Sequence, residues 1–222
     1  MADPAALTHR VATPADADAI VDFARRFFFV DEPLTIAIRL MEGGGRCTEL
    51  EDYCTESLAE GNSLVSENAD GEVVGIVLNG IKRRIEGPCE PEELPPPEGQ
   101  ANTKFRHIVR LLDEADAQAD VFGRFPDVDA YVDIKILSVH PDYRGKGIAK
   151  QLIDQSRELT RAQGMSMVRC VCTSFYTHKA VARLGFQHVH TMPYKSFVDE
   201  QGRVVFDTEP PHDNVETYVA RV

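Results

Sequence analysis

Apolar positions along this chain switch between two periods, and the switches mark the elements. Ile20, Val21, Ala24, Phe27 and Phe28 fall at helical spacing and predict a helix with these five facing a core. Thr13-Pro14-Ala15-Asp16 opens it. Thr13 serves as the cap, Pro14 stands where its missing N–H is not needed, and Asp16 lies in the positive first turn. Pro33 disfavours helix at Glu32, so the helix ends near Val30. Residues 7–12 predict a first strand and residues 48–60 a second helix, ended by Gly61-Asn62. Residues 63–67 and 72–83 pair as a hairpin through Asn68-Ala69-Asp70-Gly71. Residues 87–100, rich in Pro and Glu and without a period, predict a loop, and 103–118 a helix with Phe105, Ile108, Leu111 and Leu112 apolar. The strands 131–139 and 167–172 follow, each leading into a helix, 147–163 and 176–184, with Gly164 and Gly185 as stops. Residues 188–197 and 216–221 complete an α/β fold: a seven-stranded mixed sheet with helices on both faces. The pattern predicts a single domain over 1–222 with a loop-and-helix insertion at about 84–128.

The bulk properties narrow the function. Thirty-six acidic against 24 basic residues give a net charge of −12. That excludes a nucleic-acid partner, which needs clustered Lys and Arg, and attracts cationic ligands. Five scattered cysteines, Cys47, Cys54, Cys89, Cys170 and Cys172, suit reduced thiols and a cytoplasmic setting. Cys170 and Cys172 share one strand face as packing residues. His188 and His190 alternate on a strand and are expected on one face, with no third ligand at metal-site spacing, so no metal is expected. No apolar run reaches membrane-spanning length, and residues 1–7 lack a signal-peptide pattern.

The chemistry concentrates at Arg144-Gly145-Lys146-Gly147-Ile148-Ala149, between a strand and a helix. Free N–H groups of the first helical turn and the helix dipole favour an anion there. Two glycines let a diphosphate sit against the main chain. A Walker loop is absent, and a dinucleotide fingerprint fails at Lys150.

This turn matches the pyrophosphate signature Arg/Gln-x-x-Gly-x-Gly/Ala, and the chain resembles the GNAT superfamily of N-acetyltransferases. Arg183-Leu184-Gly185-Phe186 repeats the ending of a second family segment. Two positions depart from it: Ser174 stands where Asn is common, and Val181 where a tyrosine usually protonates the departing thiolate. Asp31-Glu32-Pro33-Leu34 and Cys172-Thr173-Ser174-Phe175-Tyr176-Thr177 resemble the insect arylalkylamine N-acetyltransferases.

The resemblance implies a GNAT fold whose fourth and fifth strands splay apart. It implies acetyl-CoA as co-substrate, held by Arg144 to Ala149, by the exposed main chain of Leu137, Ser138 and Val139, and by Ser174. A backbone N–H near Leu137 would polarise the thioester. It makes Glu32 the general base for a primary arylalkylamine, resembling dopamine, tyramine, octopamine or serotonin, with direct transfer in a ternary complex. Phe28, Asp31 and Pro33 stand beside Glu32 as substrate contacts. Ser174 and Tyr176 are candidates for the thiolate acid; equally, this segment suits the cap of the helix that begins there, with Ser174 or Thr173 as N-cap. Agmatine or polyamine acetylation, acetylation of protein N-termini or lysines, and a non-catalytic acyl-CoA-binding module are the alternatives.

Overall fold

A computed structural model describes residues 7–44, 46–85 and 99–222. The 87–100 loop falls largely outside the described residues, as does Cys89. Seven strands form one sheet in the order β1-β2-β3-β4-β5-β7-β6. They are β1 Thr8–Val11, β2 Leu64–Glu67, β3 Val73–Arg83, β4 Ala130–Val139, β5 Met167–Cys172, β6 Gln187–Pro193 and β7 Asn214–Arg221. Only β4 and β5 are parallel. The helices are α1 Ala17–Phe27, α2 Pro33–Ala37, α3 Thr48–Thr55, α4 Gly99–Ala119, α5 Val121–Arg124, α6 Ile148–Ala162 and α7 Phe175–Arg183.

One sheet face packs against α1, α3 and α4 through a core holding Phe23, Phe29, Leu50, Phe105, Leu111 and Ile136. The other packs against α6 and α7 through Val77, Ile134, Leu152, Ile153, Cys170 and Val181. Cys170 and Cys172 are buried free thiols in this second core. Gly75 fixes how closely α6 approaches: a side-chain carbon there would lie 2.9 Å from Ile148.

Two irregularities matter. The first is a bulge in β4. Leu78 pairs with Ile136 and Asn79 with Ile134, leaving Lys135 as the extra residue. Strict alternation would put residues 134 and 136 on one face. The bulge reverses this, so Ile134 joins the α6 core and Ile136 the α1–α4 core. The second is the β4–β5 ladder, which ends at Ile134–Cys170 while β4 runs on to Val139. The expected splay between strands 4 and 5 starts there.

Some expectations shift locally. Phe23, rather than Val21, fills the buried face of α1. Pro33 does more than end a helix: it opens α2 at its first position. A bulge between His188 and His190 undoes their expected common face. His188 meets Glu216 at 2.8 Å, beside Tyr218, whereas His190 reaches Gln118 of α4 at 3.1 Å.

Candidate active site

The anion turn follows β4 directly. His140 accepts a bond from the Asp142 N–H at 3.1 Å and caps a single 3₁₀ turn over Pro141–Tyr143. Gly145 and Gly147 both take left-handed φ angles, +77° and +83°. The first N–H to close an intrahelical bond is that of Gln151, to the Gly147 carbonyl at 3.0 Å. Those of Ile148, Ala149 and Lys150 are thus left for an external acceptor. Buried Ile148 anchors the turn to the sheet. Arg144 lies across the mouth of this region: its guanidinium donates to Asp31 at 2.7 Å and to the Val139 carbonyl at 3.2 Å. Lys146 sits 4.3 Å over the Tyr143 ring. Beyond Ile134 the β5-facing edge of Leu137, Ser138 and Val139 has no strand partner.

On the opposite face of the sheet lies a cavity of about 280 Å³, bounded by α2, α3, α4 and the β3, β4 and β5 strands. Glu32 lines it. Its residue is only 7% exposed. One carboxylate oxygen accepts the Thr35 N–H at 2.7 Å, capping α2. The other, Oε1, is buried without a hydrogen-bond partner. Burial pushes the Glu32 carboxyl above its ordinary range, while the Thr35 and Leu34 N–H groups and the Thr173 hydroxyl pull it back. A raised carboxylate with one free oxygen in a cavity is suited to accept a proton.

Of the residues expected beside the amine, Phe28 lines the cavity with Glu32, whereas Asp31 and Pro33 do not. Asp31 instead holds Arg144. Thr173 also lines the cavity, and its carbonyl accepts the buried Tyr194 hydroxyl at 2.6 Å. Tyr53, Phe105, Ile108 and Leu112 add aromatic and apolar wall. These walls come largely from α3 and α4, and no motif marked them in the sequence.

Ser174 turns away from this cavity. It accepts the Tyr176 N–H at 3.2 Å as the α7 cap and lines a smaller cleft with His178 and Glu216. Tyr176 is 67% exposed, with its ring 5.6 Å from that of His212. His212, which the sequence reading passed over, accepts the Phe175 N–H at 3.2 Å and so braces the start of α7. Val181, at the family's tyrosine position, is fully buried and faces the α6 core.

The far end of the cavity is ionic. Arg169, 4% exposed, donates to both Asp133 oxygens at 2.9 and 3.1 Å and to Tyr131 at 3.1 Å, and also pairs with Asp116 of α4. Burial pushes Asp133 up and Arg169 down. Their bidentate contact works against both shifts. Lys82 also reaches Asp116, at 3.5 Å, and Lys135 pairs with Glu56 at 2.5 Å.

Comparison with known proteins agrees with this architecture. The acetyltransferase (GNAT) domain family matches residues 107–188. The crystal structure of arylalkylamine N-acetyltransferase 2 from Aedes aegypti is 29% identical over 97% of this chain and 98% of its own, with a TM-score of 0.85. The Drosophila melanogaster polyamine N-acetyltransferase, an enzyme that catalyses formation of N-acetylagmatine, is 23% identical over 98% of this chain and 100% of its own, with a TM-score of 0.81. The mosquito arylalkylamine N-acetyltransferase-like 5b is 20% identical over 98% and 100%, also at 0.81. At their identities the last two bear on the fold. The anion turn after a bulged, splayed fourth strand and these similarities together give the chain a GNAT fold and support its resemblance to the GNAT acetyltransferases.

Proposed function

We propose that this protein transfers acetyl from acetyl-CoA to the primary amine of a small arylalkylamine. The observation that carries the reading is Glu32: a buried carboxylate with one unpartnered oxygen, lining a cavity where β4 and β5 part. The fit to the co-substrate rests on the free N–H groups at the start of α6 and on the left-handed glycines before it, which suit a diphosphate. Arg144, Lys146 and the main chain of residues 145 to 149 would hold it there. The unpaired edge of Leu137, Ser138 and Val139 would align the pantetheine arm.

Bound acetyl-CoA supplies the activated acyl group. The protein's residues supply the rest. Glu32 attracts the ammonium form of the amine and takes its proton, directly or through water, so that the nitrogen lone pair attacks the thioester carbonyl. Phe28, Tyr53 and Phe105 offer faces against which an aryl group packs. The carbon–sulfur bond breaks as the carbon–nitrogen bond forms, and the thiolate leaves. A thiol with an ordinary pKa near ~8.5 needs modest help. Ser174 or Tyr176, at the start of α7, takes that part in this reading.

A cavity of this volume, walled by α4, suits a small molecule better than a polypeptide substrate. Thiol release from acetyl-CoA, followed across aryl monoamines, diamines and an N-terminal peptide, tests the reading. Turnover restricted to the peptide would reject it, and acetyl-CoA binding without turnover of any amine would leave only the binding-module alternative.

A further inference from the structure

Glu32 and Thr173 line one cavity but are held in place differently. Glu32 is fixed by a near neighbour. The Thr35 N–H donates to its carboxylate and the Thr35 hydroxyl to its carbonyl, both at 2.7 Å. Thr173 belongs to the junction between β5 and α7. The β4–β5 ladder stops at Ile134–Cys170 and the β5–β7 ladder at Cys172–Glu216. Thr173 therefore lies beyond both ladders, and strand pairing does not set its position. A side chain does so instead: the Tyr194 hydroxyl donates to the Thr173 carbonyl at 2.6 Å.

Tyr194 is itself firmly held. It opens the 3₁₀ turn Tyr194–Ser196 after β6 and is only 1% exposed. Its N–H donates to the Asp213 carbonyl at 3.0 Å, and its carbonyl accepts the Phe197 N–H at 3.1 Å. Its ring lies 6.3 Å from that of Phe206, within the α1–α4 core. Main chain and ring thus fix where the hydroxyl points. Burial and the nearby Glu32 charge keep the proton on this phenol, so it remains a donor at neutral pH. At the receiving end, adjacent residues diverge. The Thr173 hydroxyl is one of the groups that pull the Glu32 carboxyl down, with the Thr35 and Leu34 N–H groups, against burial. Ser174 turns away and caps α7. The charges of the cavity are paired among themselves: Arg169 with Asp133 and Asp116, Lys135 with Glu56, and Lys82 with Asp116.

We infer that Tyr194 is a positioning residue for acetyl transfer: its hydroxyl holds the Thr173 carbonyl, and so keeps the Thr173 side chain toward Glu32 and Ser174 at the head of α7. The inference rests on the amine-acetylating reading above, with Glu32 as base. Tyr194 does not line the cavity, so it acts through Thr173 rather than on the amine. Without its hydroxyl, the Thr173 carbonyl loses a donor and the junction is free to relax. The Thr173 hydroxyl then moves off Glu32. Glu32 loses a group that favours its charged form and keeps its proton to higher pH.

The test follows the Glu32 carboxyl by NMR titration of glutamate-labelled protein, with Glu32→Gln identifying its signal. Tyr194→Phe keeps the ring and removes the hydroxyl, and Thr173→Val removes the Thr173 hydroxyl. Each should raise the Glu32 midpoint, and the double variant should raise it no further than Thr173→Val alone. Thr173→Ser, which keeps the hydroxyl, should return the wild-type midpoint. Phe206→Leu loosens the same core but keeps the Tyr194 hydroxyl; it should melt lower and leave the midpoint in place. With 2-phenylethylamine and acetyl-CoA, Tyr194→Phe should lower kcat about tenfold and move the acid limb up, with KM for acetyl-CoA within about twofold. A midpoint unmoved in Tyr194→Phe, one moved as far in Phe206→Leu, or a parent-like kcat would each overturn the inference. If Tyr194→Phe does not fold, Thr173→Val decides: a raised midpoint supports the path to Glu32, and an unmoved one overturns it. If the wild type turns over no amine, the acetyltransferase reading fails by itself, and the titration still decides whether Tyr194 governs Glu32.

Discussion

The anion turn and the amine cavity lie on opposite sides of the same splayed strand pair, and they are built in opposite ways. The turn is main chain: left-handed glycines and free N–H groups, open to solvent, with side chains that contribute at the edges. The cavity is side chain: carboxylates, aromatic rings and paired cations drawn from six elements, with its central carboxylate buried. A main-chain site is vulnerable to whatever changes backbone conformation and tolerant of side-chain truncation. A side-chain site is the reverse, and its key group is strained by its own burial.

The sharpest way to break this contrast is at Gly147. A valine there would have to adopt φ near +83°, and its side chain would project where the phosphate approaches, although no protein atom lies within 4 Å of the new carbon. Calorimetry is expected to show acetyl-CoA binding lost in a protein that still folds, at a stability cost of about 1–3 kcal/mol for the strained backbone. Arg144→Ala should cost far less affinity. Unchanged affinity in Gly147→Val would mean that the co-substrate is held elsewhere.

Next in size is Glu32→Ala, expected to lower kcat/KM for the amine by about 10²-fold or more while leaving acetyl-CoA affinity unchanged. Because burial raises the Glu32 carboxyl, the acid limb of the wild-type rate profile should lie above the ordinary carboxylate value of 4.5. Parent-like rates at every pH would return Glu32 to a capping role alone.

Burial of the same group carries a stability signature. A carboxyl raised in the folded state binds its proton more tightly there than in the unfolded chain. Its burial therefore costs nothing below the ordinary value of 4.5, and stability falls as pH rises from 4.5 through the folded value. Glu32→Gln keeps the acceptor for the Thr35 N–H and removes the charge. It should melt higher than the wild type at neutral pH, by about 2–4 °C for each kcal/mol gained, and equally at pH 4. A Gln variant less stable at pH 7 would show that the carboxylate is paid back by contacts beyond the cap.

The smallest effects belong to the start of α7. Ser174→Ala loses the cap on Tyr176 N–H, worth about 1 kcal/mol in thermal or denaturant unfolding. Tyr176→Phe, exposed and unbonded through its hydroxyl, should leave stability within about 0.5 kcal/mol. Their rates separate the two as thiolate acids. Slowed chemistry in Tyr176→Phe alone assigns the phenol, slowed chemistry in Ser174→Ala alone assigns the serine, and parent rates in both leave the proton to water.

The same contrast explains what was legible beforehand. The turn from Arg144 to Ala149 is contiguous, and glycine spacing reports backbone conformation directly, so it could be read with its strand and helix. Gly185, with φ of +78°, ends α7 as its position suggested. Glu32 was legible only through its resemblance to a motif. Its burial was not, because a carboxylate before a proline is solvated in most chains. Asp116, Tyr53 and Arg169 carried no local signal at all: each looks like an ordinary residue on a helix face or strand.

The sequence by itself determined the seven strands of the mixed sheet, the five longer helices, the hairpin and the anion turn, since period, caps and glycines act over a few residues, but not the short helices α2 and α5. Tertiary structure decided which side chains share a space. The bulge at Lys135 moved Ile136 to the opposite face from Ile134, and the bulge before His190 separated it from His188. The end of the β4–β5 ladder at Ile134–Cys170 opened the gap, and the packing of α4 over the sheet gathered carboxylates from distant segments around it. Those outcomes depend on strand register and on contacts between residues far apart in the chain, which local periodicity does not encode.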